Sequence, residues 1–405
     1  LQVFTNVLAK ACISTDHPRN LAFIPSAPSE YANLFDLVVG ASALYGGSWQ
    51  EGAGAVFAEN QAIQWLIDLA GLPATAGGVF VQGGTIGNLS ALVVARAEAR
   101  KKHTPTGRWV IACSAEAHSS IASAANVMDV DILKVPVDAK GKLQGSAVAE
   151  AIDHLHATTN NRVFAVVATS GTTNLGIIDD LKGVGKAAKD RDIWFHVDGA
   201  YGLAALCAPS VRADFDGVEN ADSFIVDPHK WLFGPYDSCA LIYRNVHDGP
   251  RAHTQHAEYL DVLHGEVDES QPWLEMNPAD MAHHLSRRAR GLPLWFSLAT
   301  HGTDAYADAV ERTLKVTQQG AEEIRSRPYL ELLLEPDLSI LVFRRLGWTP
   351  EDYQRWSDQQ LYSGESFIVP SSWNGETVLR FCIVNPRTRR QHLIEILDSL
   401  APEES

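Results

Sequence analysis

Short apolar runs alternate with stretches of helical period between about residues 78 and 249. The runs at 79–81, 109–113, 163–168, 194–197, 223–226 and 240–243 are rich in Val, Ile, Ala, Phe and Trp. They are bounded by polar or glycine-containing segments and read as strands. The segments 87–101, 120–128, 145–156 and 184–190 read as helices between them. Near-continuous apolar strands separated by helices predict an α/β fold: a large, mostly parallel sheet covered on both faces. Ligands of such sheets bind in loops at the carboxyl ends of the strands. Upstream, residues 54–71 form an amphipathic pattern (Ala58, Ile63, Leu66, Ile67, Leu69) that stops at Gly71. Residues 1–45 mix helical periodicity with the proline-rich turn Phe23-Ile24-Pro25-Ser26-Ala27-Pro28-Ser29.

After Leu285 the pattern changes. A helical stretch over 292–327 precedes strand-like 340–344, 366–370 and 377–383, then a closing helix over 388–400. This predicts a small C-terminal α+β domain joined through a long helix. The expected organisation is an N-terminal segment 1–50, a large domain 51–290 and a small domain 291–405. The segment 264–282 lacks periodicity and is expected to be a mobile loop and a candidate lid.

The 405 residues are 46% hydrophobic and 20% charged, a globular composition. The net charge of −16 argues against nucleic acid or an anionic membrane as a partner. Five scattered cysteines without a CxxC pair suit reduced thiols in a cytoplasmic protein. No apolar run is long enough for a membrane span. The start, Leu1-Gln2-Val3-Phe4, has neither initiator Met nor basic n-region, and reads as a truncated N-terminus rather than a signal peptide.

Five constellations carry chemistry, each after an expected strand. Gly83-Gly84-Thr85-Ile86-Gly87-Asn88 opens a helix; glycines, a hydroxyl and a helix N-terminus suit an anion, although such turns are also ordinary connections. It is neither a GxGxxG fingerprint nor a Walker loop. His118, in Ala117-His118-Ser119-Ser120, is either a simple polar contact or a ring able to stack on a flat heteroaromatic. Thr169-Ser170-Gly171-Thr172-Thr173-Asn174 is a turn signal or a cofactor contact; Thr173 is the candidate, with Asp179 behind it. Asp198, in His196-Val197-Asp198-Gly199-Ala200, ends an apolar strand; it either caps a following helix or pairs with a cation. Lys230, in Asp227-Pro228-His229-Lys230-Trp231, is either a solvated lysine or an amine made nucleophilic by desolvation. Together, a lysine amine and a carboxylate at neighbouring strand ends suit pyridoxal phosphate. The amine forms an imine with the aldehyde, and the acid keeps the pyridine nitrogen protonated.

The order GGTxxN, AHSS, TSGTTNxGxxD, HVDGAYG, DPHKWLFGPYD resembles the group II pyridoxal-phosphate-dependent amino acid decarboxylases, from about His17 to Thr388. The resemblance implies fold type I, the aspartate aminotransferase-like fold, and an L-amino acid as substrate. It implies that Lys230 is the Schiff-base lysine, His229 and the Gly84–Thr85 turn contact phosphate, and Asp198 pairs with the ring nitrogen. Ala200 and His118 would pack on opposite ring faces, with Thr173 near the ring substituents. Phe23 and Pro25 would line the substrate pocket, and Arg380 would meet a substrate carboxylate. A homodimer with shared sites is implied as well.

Two departures bear on chemistry. Family members commonly carry a loop tyrosine that protonates the substrate carbon; between Leu260 and Arg290 this chain has none, and Asp280-Met281 stands near its place. Either another acid, such as His283 or His284, takes over, or the chain resembles the aldehyde synthases, in which oxygen intercepts the reaction. Glycines at Tyr45-Gly46-Gly47-Ser48-Trp49, where aromatic-selective members are bulky, weigh against catechol or indole substrates. A catalytically silent cofactor-binding subunit is the non-enzyme alternative, and no metal site is expected: His283-His284 lacks partners at ligand spacing.

Overall fold

The apolar runs do become strands. In the computed structural model, which describes residues 1–258 and 273–402, the first half runs α1 (Glu30–Ser42), α2 (Trp49–Ala70), β1 (Gly77–Val81), α3 (Gly84–Lys102), β2 (Trp109–Ser114), α4 (Ser119–Met128) and β3 (Asp131–Val135). It continues with α5 (Gly145–Thr158), β4 (Arg162–Thr169), α6 (Leu181–Lys189), β5 (Trp194–Asp198), β6 (Ser223–Val226), β7 (Cys239–Tyr243) and α7 (Asp248–His253). The strands form one seven-stranded sheet in the order β1-β7-β6-β5-β4-β2-β3. Only β7 runs against its neighbours; the pairs among β3, β2, β4, β5 and β6 are parallel. Strands β1, β6 and β7 are buried throughout, because helices cover both faces.

The C-terminal part comprises α8 (Leu292–His301), α9 (Thr303–Arg325), β8 (Leu330–Leu332), β9 (Ile340–Arg345), α10 (Pro350–Ser363), β10 (Ser371–Trp373), β11 (Glu376–Cys382) and α11 (Arg390–Asp398). Its four strands form an antiparallel sheet, β10-β11-β9-β8. The expected helix over 292–327 is two helices. Gly302, at φ +80°, breaks it in a conformation that L side chains rarely adopt. The expected strand at 366–370 shifts to β10, and Phe367 instead bridges Asn20. Residues 19–22 are laced onto this sheet: Phe367 N–H donates to Arg19 O, Leu21 N–H to Phe367 O and Cys382 N–H to Leu21 O, at 3.1, 2.9 and 2.9 Å.

The sequence pattern did not reveal β3 or α10. Most of β3 is only half-buried, so its alternation is weak. Helix α10 is polar apart from a Tyr353–Trp356 stripe, and it starts at a Thr349–Asp352 capping box with Pro350 behind it. Residues 264–272 of the expected loop lie outside the described residues. Residues 273–282 form short 3-10 turns at Trp273–Glu275 and Pro278–Asp280, with Met281 buried. Glu59 of α2 and Arg287 form a bidentate pair at 2.8 and 2.9 Å with side chains 3% and 0% exposed. Arg287 also donates to Phe80 O at the end of β1, which fixes the chain downstream of those turns. No helix among the described residues is long and apolar enough to cross a membrane.

Candidate active site

The carboxyl ends of β4, β5 and β6 and the loop after β1 surround one cavity of about 290 Å³. Gly84, Thr85, His118, Thr173, Asp198, Ala200, His229 and Lys230 all line it. Residues distant in sequence converge because parallel strands deliver their following loops to one edge. The loops are knitted by backbone bonds: Gly199 N–H donates to Ile225 O and Asp227 N–H to Ala200 O, at 3.1 and 3.0 Å. Gly171, at φ +90°, lets the loop after β4 approach Tyr201; a Cβ there would lie 2.8 Å from that ring.

At one end of the cavity, the 19-residue α3 begins at Gly84. A helix start leaves its first N–H groups without helical partners and favours negative charge. A Cβ on Gly84 would lie 3.2 Å from both Asp227 Oδ2 and Ile225 Cδ1, so this edge of the cradle has no room for a larger residue. Gln82 Oε1 and Thr169 Oγ1, on two cavity-lining residues, are buried without a hydrogen-bond partner. A bound water or polar ligand in the cavity would satisfy such atoms.

Asp198 is 3% exposed. Both of its oxygens accept hydrogen bonds: Oδ2 from Asn88 Nδ2 at 2.9 Å and Oδ1 from Ala200 N–H at 3.2 Å. The local turn bond to Ala200 is present, and Asp198 also lines the cavity. Asn88 was not singled out by sequence reasoning, although it closes the GGTxxN motif one helical turn beyond Gly84.

Lys230 Nζ lies 3.0 Å from Asp227 Oδ2. The expectation that burial lowers this amine's pKa needs correction. Burial does pull it down, but Asp227 and then Asp198 outweigh burial, and the net shift is upward. His229 Nδ1 donates to Ser238 O at 2.7 Å, and its Nε2 lies 3.7 Å from Asp227 Oδ2. Tyr236 lines the cavity beside His229, with ring centroids 4.8 Å apart. Burial raises its phenol pKa, against the lowering effect of Lys230.

Other candidates fall outside the lining. Phe23 packs edge-on against Phe367, and Pro25 is half-buried. Arg380 donates to Thr173 O at 2.7 Å and Ala22 O at 2.8 Å, tying the β4 loop to the N-terminal segment. Neither His283 nor His284 reaches the cavity. Burial pushes His284 down to about 4, and its Nε2 bonds Pro278 O. The glycines at 46 and 47 are packing positions: a Cβ at Gly46 would press on Ala289 at 3.2 Å, and one at Gly47 on the Tyr45 ring. Behind the cavity, Asp179 accepts N–H bonds from Thr169 and Leu143, while burial pushes its carboxyl up to about 7.

The donor set fits a phosphorylated pyridine aldehyde: an amine, a carboxylate 3% exposed, and a helix start share one cavity. Residues 2–346 match the model of the pyridoxal-dependent decarboxylase conserved domain, and the chain belongs to that family. It is a pyridoxal-phosphate-dependent amino acid decarboxylase, a carboxy-lyase of fold type I. The aromatic-L-amino-acid decarboxylase of Bacillus atrophaeus is 30% identical over 393 residues, covering 94% of this chain and 80% of that protein. The L-2,4-diaminobutyrate decarboxylase of Rhizobium meliloti (strain 1021) is 28% identical over 394 residues, covering 95% and 77%. The crystal structure of Oryza sativa TDC with PLP and tryptamine superposes with a TM-score of 0.88 at 24% identity, over 98% of this chain and 86% of that one.

Proposed function

We propose that the chain decarboxylates a free L-amino acid, with Lys230 and Asp198 as the central pair and His118 against the ring. The observation that carries this reading is that Lys230, Asp198 and the α3 N-terminus face one cavity. Bound pyridoxal phosphate supplies an aldehyde for the amine and a pyridinium that accepts the electrons of the bond to carboxylate.

The start of α3, Thr85 and His229 hold the phosphate. Asp198 would accept from the ring nitrogen, its other contacts already fixed by Asn88 and Ala200. His118 and Ala200 would pack against the ring, with Thr173 near it, since all three line the cavity. Lys230 must lose a proton before it attacks, and the Asp227 carboxylate, 3.0 Å away, opposes that loss by stabilising the ammonium. Tyr236 Oη is the acid that returns a proton to the substrate carbon. A phenol with a raised pKa stays protonated at neutral pH. Phe23, Pro25 and Arg380 shape the approach from outside the cavity.

A homodimer is the working form. Leu34, Leu37 and Val38 of α1 are 56%, 69% and 44% exposed, and Val3, Phe4 and Val7 add apolar surface, which supports a covering second copy. The cysteines, free among the described residues, support the reducing cytoplasm.

The test is CO2 release and oxygen uptake by the cofactor-loaded protein across a panel of L-amino acids, with Lys230→Ala as blank. CO2 and amine without oxygen loss are expected. CO2 with stoichiometric oxygen loss would indicate an aldehyde synthase. No CO2 from any substrate, with the lysine–cofactor absorption band intact, would favour a silent subunit.

A further inference from the structure

Behind the cavity lies a chain of buried polar groups that ends at Asp198 and His118. Strand β5 alternates, so Trp194, His196 and Asp198 share one face. Ser223 pairs with His196 across β5 and β6. Trp194 Nε1 lies 2.8 Å from Ser223 Oγ, and Ser223 Oγ lies 2.8 Å from His196 Nδ1. His196 Nε2 lies 2.9 Å from Asn88 Oδ1. Asn88 Nδ2 lies 2.9 Å from both Asp198 Oδ2 and Ser120 Oγ. Ser120 Oγ lies 2.9 Å from His118 Nδ1, which also accepts the Ser120 N–H at 3.2 Å. Asn88, Ser120, His196 and Ser223 are 1%, 3%, 0% and 0% exposed.

The direction of every bond is determined. Asp198 as carboxylate only accepts, so Asn88 presents its NH2 there and its carbonyl to His196. A carbonyl only accepts, so His196 Nε2 carries the hydrogen. Burial pushes His196 down to about 4, and the neutral ring then has an unprotonated Nδ1. That nitrogen takes the Ser223 hydroxyl hydrogen, and Ser223 takes the Trp194 N–H. On the other branch, the Asn88 NH2 donates to Ser120 Oγ, and Ser120 turns its hydrogen to His118 Nδ1. All donors point from Trp194 toward the cavity, and the branch point is Asn88.

We infer that Asn88 is the positioning residue of this site: its one NH2 group holds Asp198 as an acceptor for the ring nitrogen and fixes the His118 tautomer with hydrogen on Nε2. The inference rests on the proposed role of Asp198. One side chain thus sets both the carboxylate that faces the ring nitrogen and the imidazole that packs on the ring. A carboxylate already holding donors leaves the shared proton on the ring.

The experiment compares wild type, Asn88→Ala and Asn88→Asp, each loaded with cofactor labelled with 15N in the pyridine ring. The readouts are the 15N resonance, the pH titration of the visible lysine–cofactor band, and cofactor affinity. Both variants are expected to lose the protonated-nitrogen resonance and to bind cofactor about tenfold more weakly. Asn88→Asp has the same shape but no donor, so the ordering role predicts that it is worse than Asn88→Ala. A filler role predicts the reverse. A wild-type resonance and titration in either variant, or Asn88→Asp behaving better than Asn88→Ala, would overturn the inference. Should neither variant fold, Ser223→Ala must shift the band titration in the same sense to a smaller degree, and no shift there would equally overturn it. A wild type that forms no Lys230 imine, or that leaves its ring nitrogen unprotonated, would instead sink the role assigned to Lys230 or Asp198.

Discussion

Asp227 holds Lys230 charged: the two side chains meet at 3.0 Å, and the carboxylate is 2% exposed. The amine that must be neutral to attack an aldehyde is thus raised in pKa by the residue three positions before it. Because the shift is upward, the neutral fraction grows only as pH rises toward and through the raised ammonium value. The rate at which apoprotein takes up cofactor should therefore climb with pH across the alkaline range. Asp227→Asn should move that climb to lower pH and speed loading at neutral pH. Stopped-flow absorbance of imine formation measures both. An unchanged profile in Asp227→Asn would show that the pair does not control the amine.

Asp198→Ala leaves the cavity without a partner for a ring cation. Removing one preorganised electrostatic group from a buried site typically costs about 10²–10³ in kcat. CO2 release should fall by that order while Lys230 still forms its imine. A variant with wild-type kcat would contradict the role of Asp198.

Among the described residues, two tyrosines line the cavity, and they differ. Tyr201 is buried, and its hydroxyl is held by Ser339. Tyr236 is 58% exposed. Tyr236→Phe should slow amine formation by about 10²-fold or more, the usual scale for losing a general acid. Oxygen uptake during turnover should rise in the same variant. Unaltered amine release would assign the proton to another group.

The Glu59–Arg287 pair predicts a stability effect remote from the chemistry. Glu59→Ala strands a guanidinium that is 0% exposed and should cost about 3–5 kcal/mol, read as a lowered Tm by calorimetry. Asp129→Ala is the contrast: Arg108 and Asp129 are 50% and 89% exposed, and losing this solvent-screened pair should leave Tm close to that of the wild type.

The sheet was legible because its strands are buried on both faces and so read as apolar runs. The residues around the cavity were legible because each motif follows a strand, and parallel strands gather their following loops. What stayed hidden is mostly a matter of pairing. Read as one apolar run, residues 194–197 concealed the alternation that continues to Asp198 and puts His196 on the face of the acid. Asn88 was visible as a motif letter, but its partners lie on β5 and α4, out of reach of local spacing. The upward shift of Lys230 depends on where the Asp227 side chain turns, and the sequence suggested only burial. The glycines at 46 and 47 were read as weighing against catechol or indole substrates; their packing against Ala289 and Tyr45 was not visible in the sequence.

The lacing of the N-terminal segment has a consequence for biosynthesis. Ser26 donates to Val384 O, Thr388 to Pro18 O and Asn385 to Asp16 O, across separations of 358, 370 and 369 residues. Residues 16–26 leave the ribosome long before the strand they must join exists. These hydrogen bonds cannot form until β11 and the turn after it emerge, since contacts this distant in sequence form late. A segment made 358 to 370 residues before its partners is therefore among the last to find its place.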